Sequence, residues 1–290
     1  MAKKRILVTG ANGQLGKELR DLASQYQEAE FLFLSREDLP IHHFELVRNV
    51  FDSFKPNFCI NAAAYTAVDK AETEQELAHL INAEAVGVLA AVAAAHDCRF
   101  IHVSTDYVYD GSSSGAHKES DATAPISVYG KTKLEGEQLG LAFDPQIIII
   151  RTSWVYSCYG NNFVKTMMRL MQTKDQISVV DDQWGSPTWA FDLASCILEI
   201  IHHPQWQPGI YNFSNEGKIT WFQFALEIRT QMGSSCVVNP IPSSDYPTPA
   251  KRPANSWMDK NKIEVTFGIQ LHDWKESLST CIKTIQEQAH

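Results

Sequence analysis

A chain of 290 residues is long enough for one large domain, or for a domain with a smaller cap. A hydrophobic content of 44% with 20% charged residues is that of an ordinary soluble globular protein. The net charge of −9 argues against nonspecific binding to nucleic acid or anionic membranes, while leaving room for a locally positive nucleotide pocket. Cys59, Cys98, Cys158, Cys196, Cys236 and Cys281 show no Cys-x-x-Cys spacing, so they read as buried free thiols of a reducing compartment rather than a zinc or redox site. The most apolar run, Ala85 to Ala95, falls short of the ~20 residues a membrane span needs. The opening Met1-Ala2-Lys3-Lys4-Arg5 runs straight into an apolar strand with no room for a signal peptide, and a cytoplasmic location is expected.

Ile6 to Val8 read as a strand buried on both faces, ending at Gly10, with Gly13 and Gly16 following at intervals of three. From Leu15 the pattern turns helical, Leu15, Leu19 and Leu22 sharing one face. In such a turn, side chains at Gly10 or Gly13 would hold the backbone away from a pyrophosphate, and Gly16 would let the helix pack closely on the strand. Free N–H groups and the helix dipole at that N-terminus favour phosphate. Gly10, Asn12, Gly13, Gln14, Leu15 and Gly16 are therefore candidate cofactor-binding residues, with a plain strand–helix turn as the competing reading.

Phe31 to Leu34 read as the second strand. Ser35 and Arg36 follow where a dinucleotide fold meets the adenosine ribose; the cation at Arg36 suits a 2′-phosphate and leans toward NADPH, with Glu37 and Asp38 close behind it and a solvated arginine at a strand end as the alternative. Val47, Val50, Phe51 and Phe54 form an amphipathic helix; Phe58 to Ile60 form the next strand, running into Asn61-Ala62-Ala63-Ala64-Tyr65-Thr66. Small residues there admit either a flat ligand or close helix packing. Leu77 to His96 read as a long buried helix in which Asn82 must find hydrogen-bond partners.

Phe100 to Val103 give the fourth strand, which delivers Ser104-Thr105-Asp106-Tyr107 to the edge where open α/β sheets bind ligands. Gly111 to Gly115 match a nucleophile elbow in letters only, since a serine- and glycine-rich loop lacks the strand and helix that motif requires. Tyr129 and Lys133, four residues apart after Pro125, share one helix face. A tyrosine with a pKa of ~10 needs about 4 kcal/mol of help to work as an acid–base near neutrality, and an ammonium one turn away is a source of it. Ile147 to Ile150 form a fully apolar strand that leads to Arg151 and Trp154; Ile177 to Val180 and Gly209 to Phe213 are further strands. Trp154 reads equally as a stacking surface or as packing under a cap. Beyond Thr220 the alternation fades into a proline-punctuated segment carrying Lys251, Arg252 and Asn255, whose two cations could hold a substrate phosphate, with a surface loop as the alternative.

The Gly10/Gly13/Gly16 turn, Thr105, Tyr129 and Lys133 together resemble the extended short-chain dehydrogenase/reductases. The runs Asn61–Glu72, Ser104–Gly111, Asp182–Thr188 and Arg252–Ser256 resemble, more narrowly, the dTDP-4-dehydrorhamnose reductase family, over nearly the whole chain. That resemblance implies NADPH or NADH lying across the sheet and hydride transfer to C4 of dTDP-4-dehydro-L-rhamnose, giving dTDP-L-rhamnose. It implies Tyr129 as proton donor, Lys133 holding the nicotinamide ribose and keeping the tyrosine pKa low, and Thr105 on the keto oxygen. Asp106, Trp154 and Arg252 would contact substrate, while Ser35, Arg36, Ala63, Ala64, Tyr65 and Thr66 would line the cofactor. Family members carry an Asp-Ile pair after the second strand where this chain has Pro40-Ile41. Some relatives dimerise around magnesium; no ligands for it can be matched here, so Mg2+ and the choice between monomer and homodimer stay open.

The expected fold class is α/β, a Rossmann-type doubly wound parallel sheet with a smaller C-terminal substrate-binding domain. Residues 1–160 and roughly 188–218 are assigned to the cofactor-binding domain, roughly 161–187 and 219–290 to the substrate-binding domain. Two rival functions remain: another sugar-nucleotide enzyme (4-epimerase or 4,6-dehydratase), or a nonenzymatic regulatory subunit of the same fold. Tyr107 stands where dehydratases carry an acid–base glutamate.

Overall fold

The computed structural model describes residues 3–288, so Met1 and Ala2 of the opening run lie outside it. Six strands build the central sheet: β1 Lys4–Thr9, β2 Ala29–Leu34, β3 Phe58–Asn61, β4 Arg99–Thr105, β5 Ile148–Thr152 and β6 Gly209–Phe213. Their order is β6-β5-β4-β3-β1-β2 and every pair is parallel. The order reverses between β1 and β3, so the crevice beyond the carboxyl ends of these two strands is the position where such sheets take their ligands.

Alternation along each strand splits the core in two. Ile6, Val8 and Ile60 face α1 (Gln14–Ala23) and pack with Leu15, Leu19 and Leu22. Leu7, Cys59 and Phe100 point the other way and meet Val47 and Phe51 of α2 (Phe44–Phe54). The second helix on that face, α3, runs Gln75–Ala95. The helix is 21 residues long, and its most apolar 18-residue window has a mean hydropathy of 1.7, enough in length and composition alone to cross a bilayer, although the Ala85–Ala95 run within it is 11 residues. Ala85, Val86, Leu89, Ala90 and Ala93 are nevertheless buried in the sheet's core, as in the central helix of a globular protein. A π-turn at Leu80–Glu84 interrupts α3 and sits beside α4 (Val128–Phe143), where a side chain at Gly136 would collide with the carbonyl of Asn82.

A second apolar cluster gathers α5 (Phe163–Thr173), α6 (Ala190–His202) in part, α7 (Trp221–Met232) and the C-terminal helix Trp274–Glu287. Met167, Met168, Met171, Phe224, Ile228 and Leu278 fill it. The strand expected at Ile177 to Val180 belongs here: Gln176–Val180 pairs with Val237–Ile241 in its own parallel ladder rather than joining the main sheet. Ile263, Phe267 and Ile269 come from the C-terminal part of the chain but pack in the first core. All six cysteines are free and buried.

Candidate active site

β1 delivers the glycine turn to the crevice. Gly10 has φ +69°, and a Cβ there would lie 2.7 Å from Ala62 C and Ala63 N. The left-handed φ and the approach of the loop after β3 are by themselves enough to require glycine here. A Cβ on Gly16 would likewise meet Ala11 Cα at 2.6 Å, so Gly16 packs on the turn itself instead of on the strand. Gly13 differs: its Cβ would find only the Gly10 carbonyl, at 3.2 Å. Gly13 caps α1 with no side-chain bond, leaving the first-turn N–H groups for a ligand. Leu15 is buried, and Gln14 accepts a 2.9 Å hydrogen bond from Asn162, joining the turn to α5. Asn12 is exposed beside it.

The Ala62–Thr66 loop is held open by Asn82. Its Oδ1 accepts from Tyr65 N at 2.8 Å, and its Nδ2 donates to Tyr65 O at 3.1 Å and to Thr132 Oγ1 at 3.3 Å. The buried amide thus acts as a short strand mimic that supports Ala63, Ala64 and Tyr65 while Thr66 faces water. After β2, the Ser35 hydroxyl is committed to Glu37 Oε2 at 2.7 Å, so it is less available to a cofactor than expected. Arg36 is exposed and enters no ion pair among the described residues. An open helix N-terminus, small residues opposite it and a free cation after β2 fit a dinucleotide phosphate carrier.

β4 and α4 bring Thr105, Tyr129 and Lys133 together. Ser127 caps α4, accepting from Gly130 N at 3.2 Å, which fixes the first turn carrying Tyr129. A side chain at Gly130 would strike the Tyr107 carbonyl, so this glycine sets how closely helix and strand end approach. Thr105 Oγ1 donates to Asp106 Oδ1 at 2.9 Å and accepts from Tyr107 N at 3.2 Å. Tyr129 lies edge-on to Tyr107, ring centroids 5.5 Å apart.

The electrostatics differ from expectation. Burial pushes the Tyr129 hydroxyl up to about 12; Thr105 opposes this through its hydroxyl and the Asp106 carboxylate adds to it. Lys133 is not among the groups that lower it; its Nζ donates to Val103 O at 2.6 Å and sits 3.2 Å from His102 Nε2. Burial pushes Lys133 itself down to about 8.

Among the expected substrate contacts, Asp106 is the best supported. It is buried, burial pushes its carboxyl up to about 6 against the opposing Ser256 and Thr105 hydroxyls, and its Oδ2 makes no well-formed hydrogen bond among the described residues. A ligand hydroxyl would supply what that oxygen lacks. Trp154 adopts φ +49°, strained for a bulky residue. Its indole stacks on Trp221 with centroids 3.6 Å apart, and a Cβ at Gly185 would come 2.7 Å from its ring, so only glycine admits the indole there. Arg252 spends its fork on Asp69, Nη2 to Oδ2 at 2.9 Å and Nη1 to Oδ1 at 3.2 Å, so its guanidinium is neutralised rather than free for phosphate. Asn255 is likewise committed: Nδ2 donates to Ser113 O and Gly115 O, both at 2.8 Å, pinning the serine- and glycine-rich loop.

Sequence reading missed two groups. Glu137, one turn beyond Lys133, accepts from Ser104 and from Arg151, which also reaches the Tyr109 hydroxyl. The four-residue step from Lys133 to Glu137 was the available signal. His102 is the other. Among the described residues, no cluster of three or more His, Cys, Asp or Glu is arranged to hold a metal.

Comparison with known proteins agrees with this geometry. A family model described as RmlD substrate binding domain matches residues 4–287. The dTDP-4-dehydrorhamnose reductase of Aggregatibacter actinomycetemcomitans is 46% identical over 284 residues, covering 94% of this chain and 97% of its own. The structure of the Clostridium acetobutylicum dTDP-4-dehydrorhamnose reductase superposes with a TM-score of 0.94 at 41% identity, covering 97% of this chain and 99% of that one. The Bacillus anthracis enzyme, solved in complex with NADP, gives 0.94 at 36% identity over the same shares. This chain belongs to the dTDP-4-dehydrorhamnose reductase family.

Proposed function

We propose that the protein reduces the C4 keto group of dTDP-4-dehydro-L-rhamnose to give dTDP-L-rhamnose, the last step of dTDP-rhamnose synthesis, with NADPH preferred over NADH. The observation that carries this reading is the convergence of Thr105, Tyr129 and Lys133 beside the unpaired oxygen of Asp106. Arg36, exposed after β2 and in no ion pair among the described residues, supports the phosphorylated cofactor. Residues 1–160 and 188–218 form the cofactor-binding part, and the second apolar cluster forms most of the substrate-binding part, with Ile263 to Ile269 returning to the first.

Gly13 and the first turn of α1 would hold the cofactor's pyrophosphate, Arg36 its 2′-phosphate, and Ala63, Ala64 and Lys133 its nicotinamide end. A reduced nicotinamide supplies the hydride when bound. Tyr129, kept protonated by burial, gives its proton to the C4 oxygen as charge develops there. Thr105 Oγ1 turns from Asp106 to hydrogen-bond that oxygen, and Asp106 accepts from a sugar hydroxyl. Trp154 offers its indole to the sugar ring. Tyr107 puts a phenol where dehydratases carry the acid–base carboxylate, which favours reduction over water elimination.

The test follows NADPH absorbance with freshly generated dTDP-4-dehydro-L-rhamnose, with and without magnesium. Turnover by the wild type that falls about 10²–10⁴-fold in Tyr129→Phe, with NADPH binding retained, supports the reading. A wild type that binds NADPH and never oxidises it with this sugar overturns the substrate. Full activity in Tyr129→Phe overturns the proton donor.

A further inference from the structure

We propose that His102, oriented by Asn61, is a positioning residue that presents Nε2–H to Lys133 and biases the lysine toward the uncharged amine until cofactor arrives. The parallel register places Thr9, Asn61 and His102 side by side on β1, β3 and β4. Residues in one row of adjacent strands lie ~4.8 Å apart on the same face. Their side chains form a continuous buried chain: Thr9 Oγ1 donates to Asn61 Oδ1 at 2.6 Å, Asn61 Nδ2 lies 3.0 Å from His102 Nδ1, and His102 Nε2 lies 3.2 Å from Lys133 Nζ.

The polarity of this chain is set at one end by the backbone. Ala63 N–H donates to Asn61 Oδ1 at 3.2 Å, so the amide cannot turn over without setting two donors against each other. The Asn61 NH₂ therefore faces His102, and Nδ1 is the acceptor. Burial and the nearby Lys133 charge hold His102 well below its usual pKa, so the imidazole is neutral. A neutral ring accepting at Nδ1 carries its proton on Nε2, aimed at Lys133. An ammonium cannot accept that proton; an amine can, while still donating to Val103 O. Protonating Lys133 thus breaks one hydrogen bond somewhere along the chain.

The charged groups around the pair are few. Lys133 meets His102 from β4, and Glu137 from its own helix, already engaged by Ser104 and Arg151; Tyr129 lies one turn back. His102 meets Lys133, with Asn61 and Thr9 neutral. Lys133 sits near 8, where this bias decides how much of it is charged.

The test is imidazole ¹⁵N NMR on cofactor-free protein at about pH 8.5, just above the Lys133 midpoint. The His102 signals are identified among the ten histidines by their loss in His102→Gln. The expected result is an unprotonated Nδ1 and a protonated Nε2; an Nδ1–H tautomer or an imidazolium overturns the proposal. Asn61→Asp places a carboxylate that accepts from Nδ1–H, so the tautomer should reverse. The alkaline limb of kcat/KM for NADPH should then move up by about one pH unit or more, a tenfold gain above the wild-type limb. A reversed tautomer with an unmoved limb overturns the coupling to Lys133. Only this kinetic arm rests on the proposed function; the NMR arm needs neither cofactor nor substrate.

Discussion

Arg151 Nη2 and Glu137 Oε2 meet at 2.6 Å with both side chains closed off from water, tying β5 to α4, the helix that carries Tyr129 and Lys133. The pair is fully hydrogen-bonded: Arg151 Nε reaches Glu137 Oε1 at 2.9 Å, and Nη1 reaches Tyr109 Oη at 2.7 Å. Removing one partner leaves a buried charge unpaired, which costs about 3–5 kcal/mol, whereas replacing both by apolar groups is often neutral. Arg151→Met should lose about that much in urea unfolding. Arg151→Met with Glu137→Leu should recover most of it, less the Ser104 and Tyr109 bonds left unmade.

Glu18 is buried on α1 against Ser157, its Oε1 accepting at 2.6 Å, and burial pushes its carboxyl from 4.5 up to about 7. The folded state therefore binds more protons than the unfolded state between those values. Stability should fall as pH rises through this window, by on the order of 3 kcal/mol from this group. Glu18→Gln keeps an acceptor for Ser157 and removes the charge. Its melting temperature should exceed wild type at pH 8 and match it near pH 4.5, by scanning calorimetry.

The stacked indoles of Trp154 and Trp221, 3.6 Å between centroids, should give an exciton couplet in circular dichroism. Trp221→Phe should abolish it. Gly185→Ala should weaken it as well, because the added Cβ would come 2.7 Å from the Trp154 ring. If Trp154 presents its other face to the sugar, both variants should raise KM for the nucleotide sugar more than KM for NADPH.

Arg36 is exposed and enters no ion pair among the described residues, so Arg36→Ala should leave stability within about 0.5 kcal/mol of wild type. A charge-assisted bond to a 2′-phosphate contributes about 1.5–3 kcal/mol. KM for NADPH should accordingly rise about 10- to 100-fold, with KM for NADH nearly unchanged. Equal effects on both cofactors would remove Arg36 from the discrimination.

What the sequence determined by itself was local. Ile6 to Val8 followed by Gly10, Gly13 and Gly16 specify a strand, a turn and a helix start, because periodicity and glycine's φ freedom act within a few residues. Tyr129 and Lys133 share a face for the same reason. Long-range partners were decided only by tertiary structure. Arg252 reads as a free cation, yet Asp69, 183 positions away, takes its fork. Asn255 reads only as part of a proline-punctuated segment, yet it closes on Ser113 and Gly115 more than a hundred positions back. Lys133 reads as the group that lowers the Tyr129 pKa, yet strand register sets His102 and the Val103 carbonyl beside its ammonium. Register is a property of the assembled sheet: it depends on which strands become neighbours and how far each slides, and no window of sequence carries either quantity.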